Sequence, residues 1–226
     1  MAFETSLFQE SRLLFSLITL AFLMLFLASY QVKLLFWGLF VFYILLALLL
    51  IWFYRFPNLS NFRPNIDNLL APCDGVVKSL DFDAASGRYK IVVFLNILDQ
   101  HHQYYPTTGI VIGSTHTPGS FHPAYILEKS QYNERHLTTI RTKHGEPVTI
   151  TQIAGQVARR IVNNSVPGAP VEQGERIGMI KLSSRVDIEF SKAHFIPLVT
   201  PGMRIKALET AIAQRLSTKT KSPHIE

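Results

Sequence analysis

The chain has 226 residues, with 22 Lys and Arg against 16 Asp and Glu, a formal net charge of +6, and one cysteine. A single cysteine excludes an internal disulfide and fits a reducing compartment, and no basic run interleaved with aromatics points to nucleic acid. Apolar residues are distributed too unevenly for one soluble fold, which suggests a chain of two different parts.

The first part ends near residue 56. Leu13 to Tyr30 and Leu34 to Tyr54 run for 18 and 21 positions without a charge. As helices they would measure about 27 Å and about 32 Å, close to a hydrocarbon core roughly 30 Å thick. Only Gln31, Val32 and Lys33 separate them, so the sequence predicts a transmembrane helical hairpin with helices at about 13–30 and 34–54. A cleaved signal peptide is disfavoured, because the first apolar run exceeds the usual length and a second span follows at once. Arg12, Arg55 and Arg63 flank the outer ends against Lys33 in the turn, so the positive-inside bias places both termini, and the domain that follows, in the cytoplasm.

The second part, 57–226, holds all 12 prolines and 11 of the 12 glycines. It carries 19 Lys and Arg against 14 Asp and Glu, an excess that suits an anionic membrane surface or headgroup, or simply a solvated basic surface. β-Branched segments recur at Tyr89 to Ile97, Gly109 to Thr115, Leu137 to Thr142, Val148 to Ile153, Arg160 to Val166, Ile177 to Leu182, Val186 to Phe190 and Arg204 to Leu208. Turn pairs such as Ser86-Gly87, Pro118-Gly119, His144-Gly145, Pro167-Gly168 and Pro201-Gly202 separate many of them. The expectation is a mainly β domain, a β-sandwich or barrel. Gln152 to Ile161 also fits a short helix, because Ile153, Val157 and Ile161 are four apart; periodicity leaves the two open. The tail from Ser217 to Glu226 is polar.

Taken singly, the polar motifs are weak. His101, His102, His116 and His122 lack the Cys or carboxylate partners at fixed spacing that mark a metal site, so no metal is expected. Asn-x-Ser at Asn58 and Asn163 would not be glycosylated in a cytoplasmic domain. Asp74, in Ala-Pro-Cys-Asp-Gly, reads as a turn residue, and Ser183-Ser184-Arg185 as a hairpin turn.

Their order and surroundings say more. The chain carries Tyr54-Arg55-Phe56-Pro57, APCDG (71–75), FLNILDQHHQYYP (94–106) with Gly109, and HTPGSF (116–121). YNER (132–135), QIAGQVARRI (152–161) and GERIGMIKLSSRVDIEF (174–190) follow. This set resembles the phosphatidylserine decarboxylase family, in particular its short, two-span, membrane-anchored branch.

The resemblance implies a pyruvoyl-dependent enzyme that cuts its own chain between Ser183 and Ser184, with Ser184 becoming the pyruvoyl group. The two fragments would remain together as a heterodimer. It further implies decarboxylation of phosphatidylserine, drawn from the bilayer, to phosphatidylethanolamine and carbon dioxide through a Schiff base. Asp74 matches the family aspartate that assists cleavage, and His101 a family histidine tied to catalysis, with His102 its local competitor. Arg159, Arg160 and Arg185 are candidates for the headgroup phosphate or carboxylate, or for structural ion pairs.

Three positions depart from the family pattern. Cys73 stands where Ala is usual, Tyr104 where longer members carry a histidine, and Ser183 where Gly is usual. A Cβ at 183 could cost roughly 1–2 kcal/mol if a left-handed conformation is needed there, which slows cleavage without forbidding it. Pyruvoyl-dependent histidine decarboxylases cut between two serines. The reading from another class is an unprocessed pseudoenzyme, a membrane-tethered scaffold or lipid sensor. Diacyl or ether lipid as substrate, and a homo-oligomeric state, stay open.

Overall fold

The structure, a computed structural model, describes residues 2–28, 33–57, 62–156, 160–180 and 184–216. It divides into two compact units, Met1–Trp52 and Phe53–Glu226.

The first unit is built on two helices, α1 (Ala2–Ala28) and α2 (Lys33–Phe53). α1 starts well ahead of the apolar run because nothing between Ala2 and Arg12 breaks a helix: Gly and Pro are both missing there. The two helices run antiparallel. Phe26 packs on Phe36 at 5.3 Å, Phe22 on Tyr43 at 5.1 Å and Phe15 on Tyr43 at 5.8 Å, so partners move outward along both helices from the connection. Residues 29–32, where the turn is expected, lie outside the described residues. Among the described residues one helix is long and apolar enough to cross a membrane, Leu35–Phe53, with mean hydropathy 2.6; Leu14–Phe26 is a shorter apolar stretch. Side chains such as Phe42, Leu45 and Ile51 are exposed around α2, a surface that water does not favour. The hydroxyls of Ser16 and Thr19 donate to the carbonyls four residues back, at 2.8 and 2.7 Å, so neither is left unsatisfied on an apolar helix.

The second unit is mainly β, as the periodicity leads one to expect. Its elements in chain order are β1 (Asn68–Leu70), β2 (Gly75–Asp83), β3 (Arg88–Leu95), β4 (His102–Tyr104), β5 (Gly109–Thr117), the one-turn helix α3 (Leu127–Ser130), β6 (Arg135–Thr142) and β7 (Pro147–Ile153). After them come β8 (Ile161–Asn163), β9 (Pro170–Val171), β10 (Arg176–Ile180), β11 (Ser184–Ser191), β12 (Phe195–Pro197), β13 (Arg204–Ile205) and β14 (Ala211–Arg215). An antiparallel sheet runs β13-β2-β3-β11-β7-β6-β5-β9, and two three-stranded sheets, β1-β14-β12 and β4-β10-β8, accompany it. Gln152 and Ile153 end β7 and Ile161 opens β8, so the helix considered for that segment does not form over its described residues. β8 and β13 are shorter than the apolar segments that announce them.

One buried core joins all three sheets, with Val93, Ile150, Val186 and Ile188 from the large sheet, Leu69 and Ile212 from the first small sheet, and Ile177 and Ile180 from the second. Register shifts at Val77/Ser79 in β2 and Val111/Gly113 in β5 are bulges that bend the large sheet. β11 lies between β3 and β7, paired on both sides, and is a central strand. Its alternation decides what faces where. Ser184, Val186, Ile188 and Phe190 share the core face, and Arg185 and Asp187 take the opposite one.

The YNER segment is structural. Asn133 is fully buried; its amide donates to the carbonyls of His122 (2.7 Å) and Ala154 (2.8 Å), and its oxygen accepts from His122 N (2.8 Å). Asn133→Ala strips partners from three backbone groups, the Ala154 carbonyl among them fully buried, and is expected to cost about 2–4 kcal/mol of stability. A clear fall in the thermal midpoint of the detergent-solubilised full chain checks this; an unchanged midpoint refutes it.

Candidate active site

The segment Ala71–Gly75 enters the core as an irregular stretch pinned by its backbone. Ala71 N donates to Thr210 O (2.8 Å), Leu208 N to Ala71 O (2.9 Å) and Tyr104 N to Pro72 O (2.9 Å). Asp74 is then held between two loops: one carboxylate oxygen accepts from Ala207 N at 2.9 Å, the other from Gln100 N at 3.4 Å. Gly75 follows at φ 152°, and a Cβ there would stand 2.5 Å from the Phe94 carbonyl. Only glycine lets β2 approach β3 so closely directly after the carboxylate.

The residues from Asn96 to His101 form the opposing wall. Asp99 caps the turn, accepting from Asn96 N at 2.9 Å, and its carboxylate also pairs with Arg204. Its backbone carbonyl accepts from His101 Nδ1 at 2.7 Å. A carbonyl can only accept, so Nδ1 carries the proton and Nε2 of the neutral ring keeps its lone pair. That Nε2 is buried and makes no hydrogen bond. Burial, with the Arg55 charge adding to it, holds the His101 pKa down to about 4, against the opposing pull of the Asp99 carbonyl and the Asp74 charge. His102 is likewise pushed down to about 4 by burial and by the Arg176 guanidinium. The two rings are covered by aromatic neighbours: Phe53 lies 4.3 Å from His101, and Phe56 stacks on His102 at 4.6 Å and 11°.

Ser184 opens β11 opposite Leu95 and is fully buried, its hydroxyl without a hydrogen-bond partner. Residues 181–183 lie outside the described residues, and Ser183 with them. The chain on their near side is tied to the histidine loop, since Ile180 N donates to the His101 carbonyl at 3.3 Å. That same carbonyl accepts from the Gln103 amide at 2.7 Å, Gln103 in turn from Gln152 (2.8 Å), and Gln152 from Asn163 (2.8 Å). Ser184 is therefore a strand residue, as is Arg185, and the hairpin turn read from the three-residue motif alone does not form at these two positions.

The arginines separate. Arg185 makes a bidentate pair with Asp187 at 2.6 and 2.8 Å and donates to Ser130 Oγ at 2.9 Å, on the sheet face opposite Ser184. Arg160 is exposed, and Arg159 lies outside the described residues. The histidines separate as well: His116 pairs with Glu134 at 3.0 Å on the β5–β6 surface, away from the His101–His102 pair in sequence and sheet. Among the described residues no group of three His, Cys, Asp or Glu is placed to hold a metal ion. Cys73 is a packing residue, its thiol pushed well up by complete burial and further by the charges of Asp74 and Asp99. Tyr104 is buried and its phenol also raised by burial; its oxygen accepts from Gln100 Nε2 at 3.3 Å.

Several of these parts have only a faint signal in the sequence. A glutamine inside an apolar strand, as at Gln103 and Gln152, marks a buried amide without naming its partner. Phe53 and Phe56 read as the end of an apolar run, not as cover for two imidazoles.

A mainly β domain that buries a neutral imidazole with a free lone pair, a twice-held carboxylate and an unpartnered serine hydroxyl has the parts of an enzyme site. The family follows from comparison: the chain matches the family model described as phosphatidylserine decarboxylase over residues 46–213, and it belongs to that family. It is 43% identical over 161 residues to the phosphatidylserine decarboxylase proenzyme of Thermobifida fusca, covering 71% of each chain. It is 38% identical over 172 residues to the proenzyme of the same name from Chlorobium phaeovibrioides, covering 74% of this chain and 77% of the other. A Methanococcoides burtonii protein, provisionally named an archaetidylserine decarboxylase proenzyme, is 36% identical over 185 residues, covering 82% of this chain and 84% of its own.

Both buried imidazoles take up protons less readily when folded than the ordinary histidine value of 6.5. Above that value neither state is charged and stability is whole; as pH falls towards 4 the unfolded chain binds protons that the folded chain refuses, and stability drops. The loss is on the order of 3 kcal/mol per histidine across that window. Thermal midpoints measured from pH 7 to pH 4.5 should fall, and His102→Gln should flatten the slope; an equally steep slope in that variant would contradict the assignment.

Proposed function

We propose that the chain is a self-processing, pyruvoyl-dependent decarboxylase that converts phosphatidylserine to phosphatidylethanolamine and carbon dioxide at a bilayer. The observation that carries this is that Ser184 Oγ and His101 Nε2 are both buried without a hydrogen-bond partner, as are the ring nitrogens of His102, while Ile180, four residues before Ser184, is bonded to the His101 carbonyl. A buried hydroxyl forgoes roughly 1–3 kcal/mol when it makes no hydrogen bond, so its presence asks for a chemical reason.

The chemistry begins with the chain itself. His101 Nε2, fixed as an acceptor by its tautomer, takes the Ser184 hydroxyl proton as the oxygen attacks the carbonyl of residue 183. The peptide C–N bond breaks and an ester forms, leaving the nitrogen of residue 184 as an amine. Loss of the Cα proton expels the carboxylate of Ser183 and leaves dehydroalanine, which takes up water and releases ammonia to give the ketone. Asp74, whose oxygens are tied to Gln100 N and Ala207 N, fastens the loop that leads into His101 to the loop at Ala207. Position 184 fits the group that results: its side-chain oxygen has no hydrogen bond to lose, and it sits on the enclosed face of a central strand. Once formed, the pyruvoyl group supplies an electrophilic carbonyl conjugated to an amide, the electron sink that ordinary side chains lack.

The rest of the chain presents the substrate. The apolar helix Leu35–Phe53 supports membrane anchorage, the antiparallel α1–α2 pair supports two spans that return the chain to one side, and the flanking Arg12, Arg55 and Arg63 support that side being cytoplasmic. Of the two described arginines considered for the headgroup, Arg160 is exposed and Arg185 buried, and we assign the role to Arg160. The serine headgroup is common to diacyl and ether lipids, so the proposal concerns the headgroup, not the chains. The two cleavage products would share the large sheet, since β11 pairs with both β3 and β7 from the other side of the junction.

Intact mass spectrometry of purified protein should find two fragments, the second beginning at position 184 and blocked at its amino terminus by a ketone. Borohydride with labelled lipid should leave a covalent adduct there, and Ser184→Ala should give one uncut chain. A single uncut mass in both proteins would favour a pseudoenzyme, with the Cβ of Ser183 as its cause.

A further inference from the structure

The turn between β3 and His101 presents two large apolar side chains to the outside. Ile97 is 45% exposed and Leu98 57%. They do not stand out because the loop is slack. Asn96 N donates to the Asp99 carboxylate at 2.9 Å, Leu98 N to the Asn96 side chain at 2.8 Å, and Asp99 N to the Asn96 carbonyl at 3.1 Å. A turn closed by three hydrogen bonds cannot fold its tip back onto the core, so exposure of Ile97 and Leu98 is built in.

The same turn is fastened to the residue that follows the apolar helix. Arg55 Nη2 donates to the Leu98 carbonyl at 3.0 Å, and the Arg55 carbonyl accepts from Gln100 Nε2 at 3.2 Å. Arg55 stands two residues beyond Phe53, where the span Leu35–Phe53 ends. Chain connectivity therefore puts Leu98 within a few residues' reach of the point where α2 leaves its apolar surroundings. Phe56, 62% exposed, extends the apolar rim, with one ring face on His102. Arg55 adds a cation at the same level, suited to headgroup phosphates.

We propose that Ile97 and Leu98 insert into the bilayer interface, which makes the Asn96–Asp99 turn a membrane-docking element that ends two residues before His101. The occupant is lipid, because this apolar tip is continuous in the chain with a helix that already needs lipid around it. Docking there presents serine headgroups to the histidine loop in the plane where they lie. The proposal rests on the membrane-anchor reading above, and does not depend on whether the chain cuts itself.

The test uses the full chain, in a Cys73→Ala background, reconstituted into phosphatidylcholine–phosphatidylserine vesicles. Single cysteines at Leu98→Cys, Leu45→Cys in α2, and Lys143→Cys on the exposed β6–β7 turn each carry an environment-sensitive fluorophore, with shallow and deep nitroxide lipids as quenchers. The expected result is quenching and a blue-shifted emission at 98 and 45, and neither at 143. A label at 98 as wet as that at 143, with 45 quenched, overturns the insertion and leaves the anchor standing. No quenching at 45 overturns the anchor reading and the insertion together. A shift at 98 that follows protein concentration, not nitroxide content, assigns the surface to a second copy and also overturns the proposal. Fragment masses from the same preparation report self-cleavage separately.

Discussion

The hydrogen bond from His101 Nδ1 to the Asp99 carbonyl, 2.7 Å long, governs most of what the site can do. It sets the tautomer, and the tautomer decides that Nε2 accepts protons instead of donating them. Asp99 can hold that carbonyl still because its own carboxylate is committed twice, to the amide of Asn96 and to Arg204 from β13. Charge-assisted bonds of this kind are stronger than neutral ones, and here they stiffen a loop that would otherwise choose among ring orientations. The edge strand β13 thereby acts on a histidine that directly precedes β4, a strand of another sheet.

Burial supplies the other half. With its pKa near 4, His101 is neutral across the physiological range, so its lone pair is always available; the cost is a group that must be kept dry. The dryness comes from packing around it, not from hydrogen bonds. Phe53 covers the ring, and Ile180 N and Gln103 fix the backbone beneath it. Close strand approach makes that packing available. Gly178 on β10 faces the Val162 carbonyl of β8 so tightly that a Cβ would collide with it, and β10 carries Ile180 to the His101 carbonyl.

The strands of the large sheet were legible where β-branched residues recur between turn signals, as in β3, β5, β6, β7 and β11. β2 was not, because Asp74-Gly75 reads as a turn, and the strand then carries Lys78, Ser79, Asp81 and Asp83 over its half-exposed length. β1, β12 and β14 are too short for a period; their partners come from the far ends of the domain, as in Asn68 opposite Gln214. The residues of the site were legible as members of a family pattern, not from their own chemistry. Taken alone, Asp74 is a turn residue and Ser184 a hairpin residue. What fixes them in space arises from pairs distant in sequence: Asp74 with Ala207, Gln103 with Gln152, Ser184 with Leu95. No local pattern encodes such pairs. Arg185 shows the converse, since a basic residue next to the proposed nucleophile is turned by strand alternation to the other side of the sheet, where Asp187 neutralises it.

The apolar run of the sequence ends at Tyr54, but Phe53, the last residue of α2, already packs on His101, and Phe56 on His102. The stretch that leaves the helix is therefore part of the wall that keeps two imidazoles neutral. This economy has a physical reason. A lipid-handling site must open towards the bilayer, where a water-soluble lid would have to be desolvated at each encounter. Aromatic side chains continuous with an apolar helix meet no such penalty, because they are favoured both against the imidazole rings and at the interface. Under the proposed function, the stretch that follows the anchor would thus also hold the proposed base neutral, since Phe53 and Phe56 pack on His101 and His102.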